Sequence, residues 1–279
     1  MAHTVYSGRQ GAVNGHTNIA QWSASVAVDL QKVRSSATKG GTVALDGNTD
    51  WSGNFRGFGG QPAIMPGETF TFTGSGDGTL GVTGPAICEN VEVVIDIESG
   101  APVSYTVNFA GNGAPTLGAA AATDTTAPDV SDLSSIGCKI QQSAALDAPS
   151  FAVIPDVATI TVRITSENPA YVSSSTAGAK KRFGGNIDAE VSYKIYEGSP
   201  ADLIAPNSVK ALRVFVNATE FYEFNWMKYG NIDGFDVNRD SVNVVSCTQN
   251  SAMRGFTDTD ATPDKEGSIK LPDATTWWP

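Results

Sequence analysis

Ser35 to Ala63 reads SSATKGGTVALDGNTDWSGNFRGFGGQPA, and Ser173 to Ala201 reads SSSTAGAKKRFGGNIDAEVSYKIYEGSPA. A constant shift of 138 positions lays Thr38 on Thr176, Gly40 on Gly178, Gly47-Asn48-x-Asp50 on Gly185-Asn186-x-Asp188, and Pro62-Ala63 on Pro200-Ala201. Working outward, residues 22–113 read a second time over residues 160–252. After a two-residue insertion Asp96-Ile97 falls on Asp236-Val237, and Val103-x-Tyr105 falls near Val242-x-Val244. The matches are turn residues and strand parity, so the copies share a backbone plan more than a surface. A unit made twice can supply two quasi-equivalent wedges of a ring or shell, which points to assembly rather than to chemistry.

Strand signals dominate both copies. Thr69–Thr73, Val91–Ile97, Val103–Phe109, Ala158–Ile164, Val191–Tyr196 and Leu212–Val216 are rich in β-branched or aromatic residues, mostly alternate, and are bounded by Gly, Pro, Asn and Asp. No long window carries a helical apolar period, so at most one short helix per copy is expected, near Pro66 or around Ser199 to Leu203. The expected fold is mainly β: two duplicated antiparallel β-sandwich or barrel-like domains at 22–113 and 156–253. Residues 1–21 form an N-terminal arm and 254–279 a C-terminal arm. Between the domains, 114–155 is rich in Ala, Thr and Pro and reads as an extended, exposed linker.

Composition narrows the function. The 279 residues suit two domains that each bury a core. Charged residues make up 17% of the chain, and 29 Asp and Glu against 18 Lys and Arg leave a net charge of −11. That acidity argues against ordinary phosphate-driven nucleic-acid binding, and the low charge density suits a surface that meets other subunits. Met1 to Ala20 has no apolar run of the secretory kind, and no stretch approaches a membrane helix, so synthesis in a reducing cytoplasm is expected. Cys88, Cys138 and Cys247 are odd in number and widely spaced, which speaks against a disulfide framework or a metal site.

Catalytic signals are scarce. The only histidines, His3 and His16, lie in the leading segment, which removes the usual base for a nucleophile pair from both domains. Gly76-Asp77-Gly78-Thr79-Leu80-Gly81 matches the dinucleotide pattern by letter but runs into Val82-Thr83-Gly84-Pro85, which cannot open the required helix, so a hairpin is expected. Asp46–Asp50 and Asp236–Asp240 imitate the start of a calcium loop, yet Trp51 and Ser241 stand at the glycine position and Gly57 and Cys247 at the glutamate position; Asx turns are expected instead. Asn217-Ala218-Thr219 is a sequon without a signal peptide to make it meaningful. No enzyme, cofactor or metal is implied.

Gly-Asn-x-Asp before a strand, a Pro/Gly turn, a Gly-rich hairpin and the closing pair Ile87–Val93 with Val103-Ser104-Tyr105-Thr106-Val107-Asn108-Phe109-Ala110-Gly111-Asn112-Gly113 resemble the tail-tube domain of long-tailed bacteriophages. Trp226–Ile232 with Val242–Ser246 is a weaker second version. The resemblance implies a structural virion protein made in the host cytoplasm, polymerising as stacked rings into a conduit for DNA ejection. Its partners would be copies of itself, other tail or neck proteins, and DNA that passes without specific binding, with no membrane. Some members of that family fuse two tube domains, which implies three chains and six domains per ring. A capsid decoration or neck protein, or a carbohydrate-binding or adhesive β-sandwich, are the alternative readings. An adhesive module would want exposed loop aromatics, whereas Trp51, Trp226, Tyr193 and Tyr196 fall in or beside strands.

Three sets of residues carry the assembly expectations. Between Gly57 and Cys138 the chain has no Lys or Arg, and a conduit wall that repels phosphate would use its acids; Glu92, Asp96, Asp236 and Asp240 are the candidates for the lumen. The loops holding Lys32, Arg34 and Lys39, and Lys180, Lys181 and Arg182, are cationic within an acidic chain, and in the family the chain resembles the loop at this place contacts the neighbouring ring. Trp277 and Trp278 are costly to leave in water, so the C-terminal arm is expected to dock on its own subunit or a neighbour.

Overall fold

The computed structural model describes residues 12–13, 15–16, 18–76, 80–119, 133–143, 150–196, 205–236, 246–253, 269–272 and 277–278. Its strands begin with β1 (Ala12–Val13), β2 (Ile19–Val33), β3 (Val43–Phe58), β4 (Thr69–Ser75), β5 (Leu80–Asp96), β6 (Ser104–Gly111) and β7 (Thr116–Ala119). The middle of the chain adds β8 (Ile140–Ser143), β9 (Ala152–Val153), β10 (Val157–Ser166), β11 (Ala170–Tyr171), β12 (Lys181–Arg182) and β13 (Ile187–Tyr196). The remainder gives β14 (Val209–Phe215), β15 (Phe221–Asp236), β16 (Ser246–Met253), β17 (Ile269–Lys270) and β18 (Trp277–Trp278). Among the described residues there is no α-helix, only two short 3-10 turns at Ser36–Thr38 and Ser174–Thr176.

All strands but β11 and β12 belong to one antiparallel sheet, whose path runs β2-β3-β6-β5-β10-β13-β16-β15-β14-β8-β9. The long strands β5 and β15 turn its corners. The first part of β5 pairs β4 on one edge and β7 on the other, and its second part pairs β10 and β6. The first part of β15 likewise lies between β14 and β17, and its second part pairs β16. A strand that leaves one layer for another bends where side chains are small or the ladder is interrupted. Where β5 changes partners it holds Gly84-Pro85 and a register shift between Cys88 and Asn90; β15 has a shift between Tyr229 and Ile232.

The layers close on an apolar interior because alternate residues of each strand point the same way. In β10, Ala158, Ile160, Val162 and Ile164 are buried while Arg163 is exposed; in β13, Ala189, Val191, Tyr193 and Ile195 are buried. Around β3, β4 and β6 the interior is aromatic. Phe72 lies 4.5 Å from Phe109, Trp51 lies edge-on to Phe109 at 5.5 Å, and Trp51 donates its indole N–H to the Gly113 carbonyl at 2.9 Å. Each such ring contributes roughly 1.5–3 kcal/mol by burial, which offsets part of the chain entropy lost in ordering these strands.

Several expectations need correction. No helix forms near Pro66: Met65–Glu68 is a turn in which the Glu68 N–H donates to the Met65 carbonyl at 3.1 Å and the Glu68 carboxylate accepts from the Met65 N–H at 2.9 Å. Ser199 to Leu203 lies outside the described residues. Asp46–Asp50 is no Asx turn but part of β3, paired along β2. The 114–155 segment is not simply extended and exposed, since β7, β8 and β9 lie in it and Ile140, Ser135 and Ile154 are buried. Isolated apolar residues among small ones carry no periodicity, so their burial has no sequence signal. β4 and β5 pair antiparallel with Ser75 opposite Gly81; of the Gly76–Gly81 stretch between them, residues 77–79 lie outside the described residues.

Candidate assembly surface

The face of the sheet opposite the core is polar. At one level Gln21, Arg56, Thr106, Glu92, Arg163, Glu190, Ala252 and Lys228 stand opposite one another across adjacent strands. Its charges alternate in sign along the row. Cross-strand neighbours of opposite charge contribute roughly 0.2–1 kcal/mol each, so this row favours its register without depending on any one pair. Beside it Asp96, Glu98, Lys194 and Tyr196 form a second group. Lys194 lies 3.2 Å from Glu98, and the Tyr196 hydroxyl donates to the other Glu98 oxygen. The Ser99 hydroxyl and amide beside Asp96 hold its carboxyl below the usual range.

The seam between β5 and β10 joins the two halves of the molecule. Val91 stands opposite Ile164, Val93 opposite Val162 and Ile95 opposite Ile160, so an apolar row lines the buried side of the joint. From the end of β10 the hairpin of β11 and β12 reaches across to β3 and β6. The Thr49 N–H donates to the Gly178 carbonyl at 2.8 Å, and the Lys180 N–H donates to the Thr49 carbonyl at 3.1 Å. Asp50 then accepts from Lys180 at 2.8 Å and from both terminal nitrogens of Arg182 at 3.0 Å. Burial pushes the Asp50 carboxyl up, but hydrogen bonds from Arg182 and Lys180, with their charge, outweigh it and hold the group below its usual range. The Arg182 backbone N–H donates to the Asn112 side chain at 2.7 Å, and its guanidinium also reaches the Gly111 carbonyl.

Of the expected site residues, Glu92 and Asp96 lie on the polar face of β5, with Arg163 opposite Glu92 and Thr159 opposite Asp96. Asp236 ends β15, its side chain beyond what is described, and Asp240 lies outside the described residues. Lys32, Arg34 and Lys39 belong to the exposed hairpin of β2 and β3, where Arg34 donates to the Thr42 hydroxyl at 2.9 Å. In the second hairpin, Lys180 and Arg182 are engaged by Asp50 of the same chain and Lys181 is exposed. Trp277 and Trp278 form β18, paired with β17, which in turn pairs β15. The C-terminal arm thus adds strands to the sheet of its own chain.

Asp50 as receptor, with the Asn112 amide and the Gly111 carbonyl, and the alternating Arg56, Glu92, Arg163 and Glu190 row were not foreseen. Asp50 did stand out as the end of the repeated Gly-Asn-x-Asp, but nothing in the sequence joins it to Arg182, 132 positions away. Among the described residues no group of three His, Cys, Asp or Glu side chains is placed to hold a metal, and no helix is long and apolar enough to cross a membrane. No protein-family model matches the chain, and no curated protein matches it.

Proposed function

We propose that this chain is a structural virion protein, the tube subunit of a phage tail, built from two equivalent tube domains and polymerising as stacked rings of three chains around a DNA conduit. The observation that carries the reading is the strand order. β2-β3-β6-β5-β4 in the first half and β10-β13-β16-β15-β14 in the second run through the same sequence of neighbours, with β5 and β15 both serving as corner strands. The pairings keep step as well. Trp22–Phe55, Ala24–Gly53 and Val28–Thr49 between β2 and β3 become Ile160–Tyr193, Val162–Val191 and Ser166–Ile187 between β10 and β13, every position moved by the 138 of the sequence repeat. The hairpin turns agree too: Ser35 and Ser173 precede the 3-10 turns, with Thr38 and Thr176 closing each on its serine, and Gly40 and Gly178 follow at φ +83° and +81°. Two such units joined edge to edge within one chain supply the repeating step of a ring.

On this reading the polar face lines the conduit, with Glu92 and Asp96 on its wall, and the exposed hairpin carrying Lys32, Arg34 and Lys39 reaches the next ring. Electron microscopy of the purified protein at high concentration tests it. Tubes or stacked rings are expected; dispersed single chains at every concentration and salt would remove the proposal.

A further inference from the structure

The seam inside the chain has two counterparts that lack a partner strand among the described residues. β10 fills one edge of β5 beyond Cys88; the matching edge of β15, beyond Tyr229, has no strand against it among the described residues. The two edges arrive at that point alike. Cys88 exchanges backbone hydrogen bonds with Gly67 and Glu68, as Tyr229 does with Asn207 and Ser208. At the other end of the path β2, the counterpart of β10, pairs only β3 among the described residues. Trp22 and Ala24 are only partly buried where Ile160 and Val162 of β10 are fully so, and the difference widens along the strand. Val26 is 37% exposed and Ile164, at the same place in β10, is 0%. The hairpin beyond continues the apolar strip with Val28, Leu30 and Leu45 at 47%, 53% and 50%. A long unpaired edge with apolar side chains invites another strand.

Resting on the reading of the two halves as equivalent wedges, we infer that β2 of one chain adds antiparallel to the free edge of β15 of a second copy, in the register that β10 keeps on β5. The pairing can be written down because both mappings are fixed by strands already paired. β2 maps on β10 by the 138-position shift, through their common pairing with β3 and β13. β5 maps on β15 through β6 and β16: Cys88–Phe109 corresponds to Tyr229–Ser251, Val91–Val107 to Ile232–Gln249, and Glu92–Thr106 to Asp233–Thr248. Within the chain Ile164 faces Val91 and Thr165 faces Asn90. Val26 of one chain therefore faces Ile232 of the next, and Ala27 faces Asn231. The hairpin of β2 and β3 then lies over the neighbour's second half, as the hairpin of β11 and β12 lies over Thr49. The contact is head to tail: the surfaces differ on the two chains, and repetition of one step closes a ring.

Single cysteines at paired positions test this. Val26→Cys and Ile232→Cys are made in separate chains on a Cys247→Ser background, since Cys88 and Cys138 are buried, and are mixed under mild oxidation. A disulfide-linked dimer is expected in the mixture and none from either variant alone, because facing strand positions bring Cβ atoms within disulfide reach. Ala27→Cys with Asn231→Cys, on the other face, is the second pair should Ile232→Cys fail to fold. Val26→Cys with Asp233→Cys, which puts the thiols on opposite faces, is expected not to link. Folded mixtures without either in-register link, or linking as strong in the opposite-face pair, overturn the inference. Micrographs separate the two proposals: linked chains that never stack remove the tube and keep the interface, whereas tubes from unlinked chains remove the interface and keep the tube.

Discussion

His16 packs its ring 4.5 Å from Phe55 and near Phe70, and its Nδ1 is buried without a hydrogen-bond partner among the described residues. Burial lowers its pKa from 6.5 to about 4, so the folded chain holds a neutral imidazole that the unfolded chain protonates more readily. Stability from this group is full above about pH 6.5, falls as the pH drops towards 4, and then levels; the fall is on the order of 3 kcal/mol. His16→Phe is expected to flatten that stretch of the stability profile, measured by urea unfolding at pH 7 and pH 4.5. Asp50 does not blur the result, because its depressed pKa places its loss of stability below its ordinary value of 3.8. Gly53 poses a steric question instead. A Cβ there would sit 2.3 Å from the Ser23 carbonyl and 2.5 Å from the Phe109 ring. Gly53→Ala should cost about 1–3 kcal/mol or more by overpacking. The positions opposite one another in the second half are Val191 and Ser251, a larger residue facing a smaller one. Gly53→Val with Phe109→Ser should therefore be less damaging than the two changes summed, in a double-mutant cycle of thermal unfolding.

Among the elements, the two hairpins have the same turn and different surroundings. The one at β11 and β12 is clamped by Asp50, and the one between β2 and β3 has Thr42 and Ala44 where its counterpart has Lys180 and Arg182. Asp50→Asn keeps the shape and removes the charge. It is expected to loosen the clamp by about 1 kcal/mol or somewhat more, as suits a partly buried ion pair with one bidentate partner. Hydrogen exchange at the Lys180 amide should then speed several-fold while Val191 and Ile195 in the core keep their protection; unchanged exchange would mean that the backbone bonds to Thr49 hold the hairpin by themselves. This level also shows what the sequence could reveal. β4, β10 and β13 alternate buried and exposed residues and were readable as strands. β2 alternates as well, with Trp22, Ala24, Val26, Val28 and Leu30 between Ser23, Ser25, Ala27, Asp29 and Gln31, but its small and exposed residues make the pattern weaker than that of β10. The matched turn at Ser35 and Ser173 marks the hairpin more clearly. Val242–Val244, laid on Val103–Tyr105 by the repeat, lies outside the described residues, whereas the strand paired with β13 is Ser246–Met253, polar in letter and strand by pairing.

If the chain is the tube subunit proposed above, its polar face has to let DNA pass. A wall with cations alone would hold duplex by releasing its counterions, with affinity falling steeply as salt rises. Here Arg56 and Arg163 share their level of the sheet with Glu92 and Glu190, so neighbouring carboxylates neutralise the wall locally, over and above the chain's net charge of −11. Glu92→Gln with Glu190→Gln removes that neutralisation without touching the buried side. Tubes of this variant are expected to gain salt-sensitive DNA binding that tubes of the natural chain lack, read by fluorescence anisotropy across a salt series. The form of the DNA decides which face is inside. A linear duplex can thread a tube from its end and a covalently closed circle cannot, so binding of linear DNA alone places the face on the lumen. Equal binding of both forms places it on the outer surface, and the conduit would then be lined by other residues.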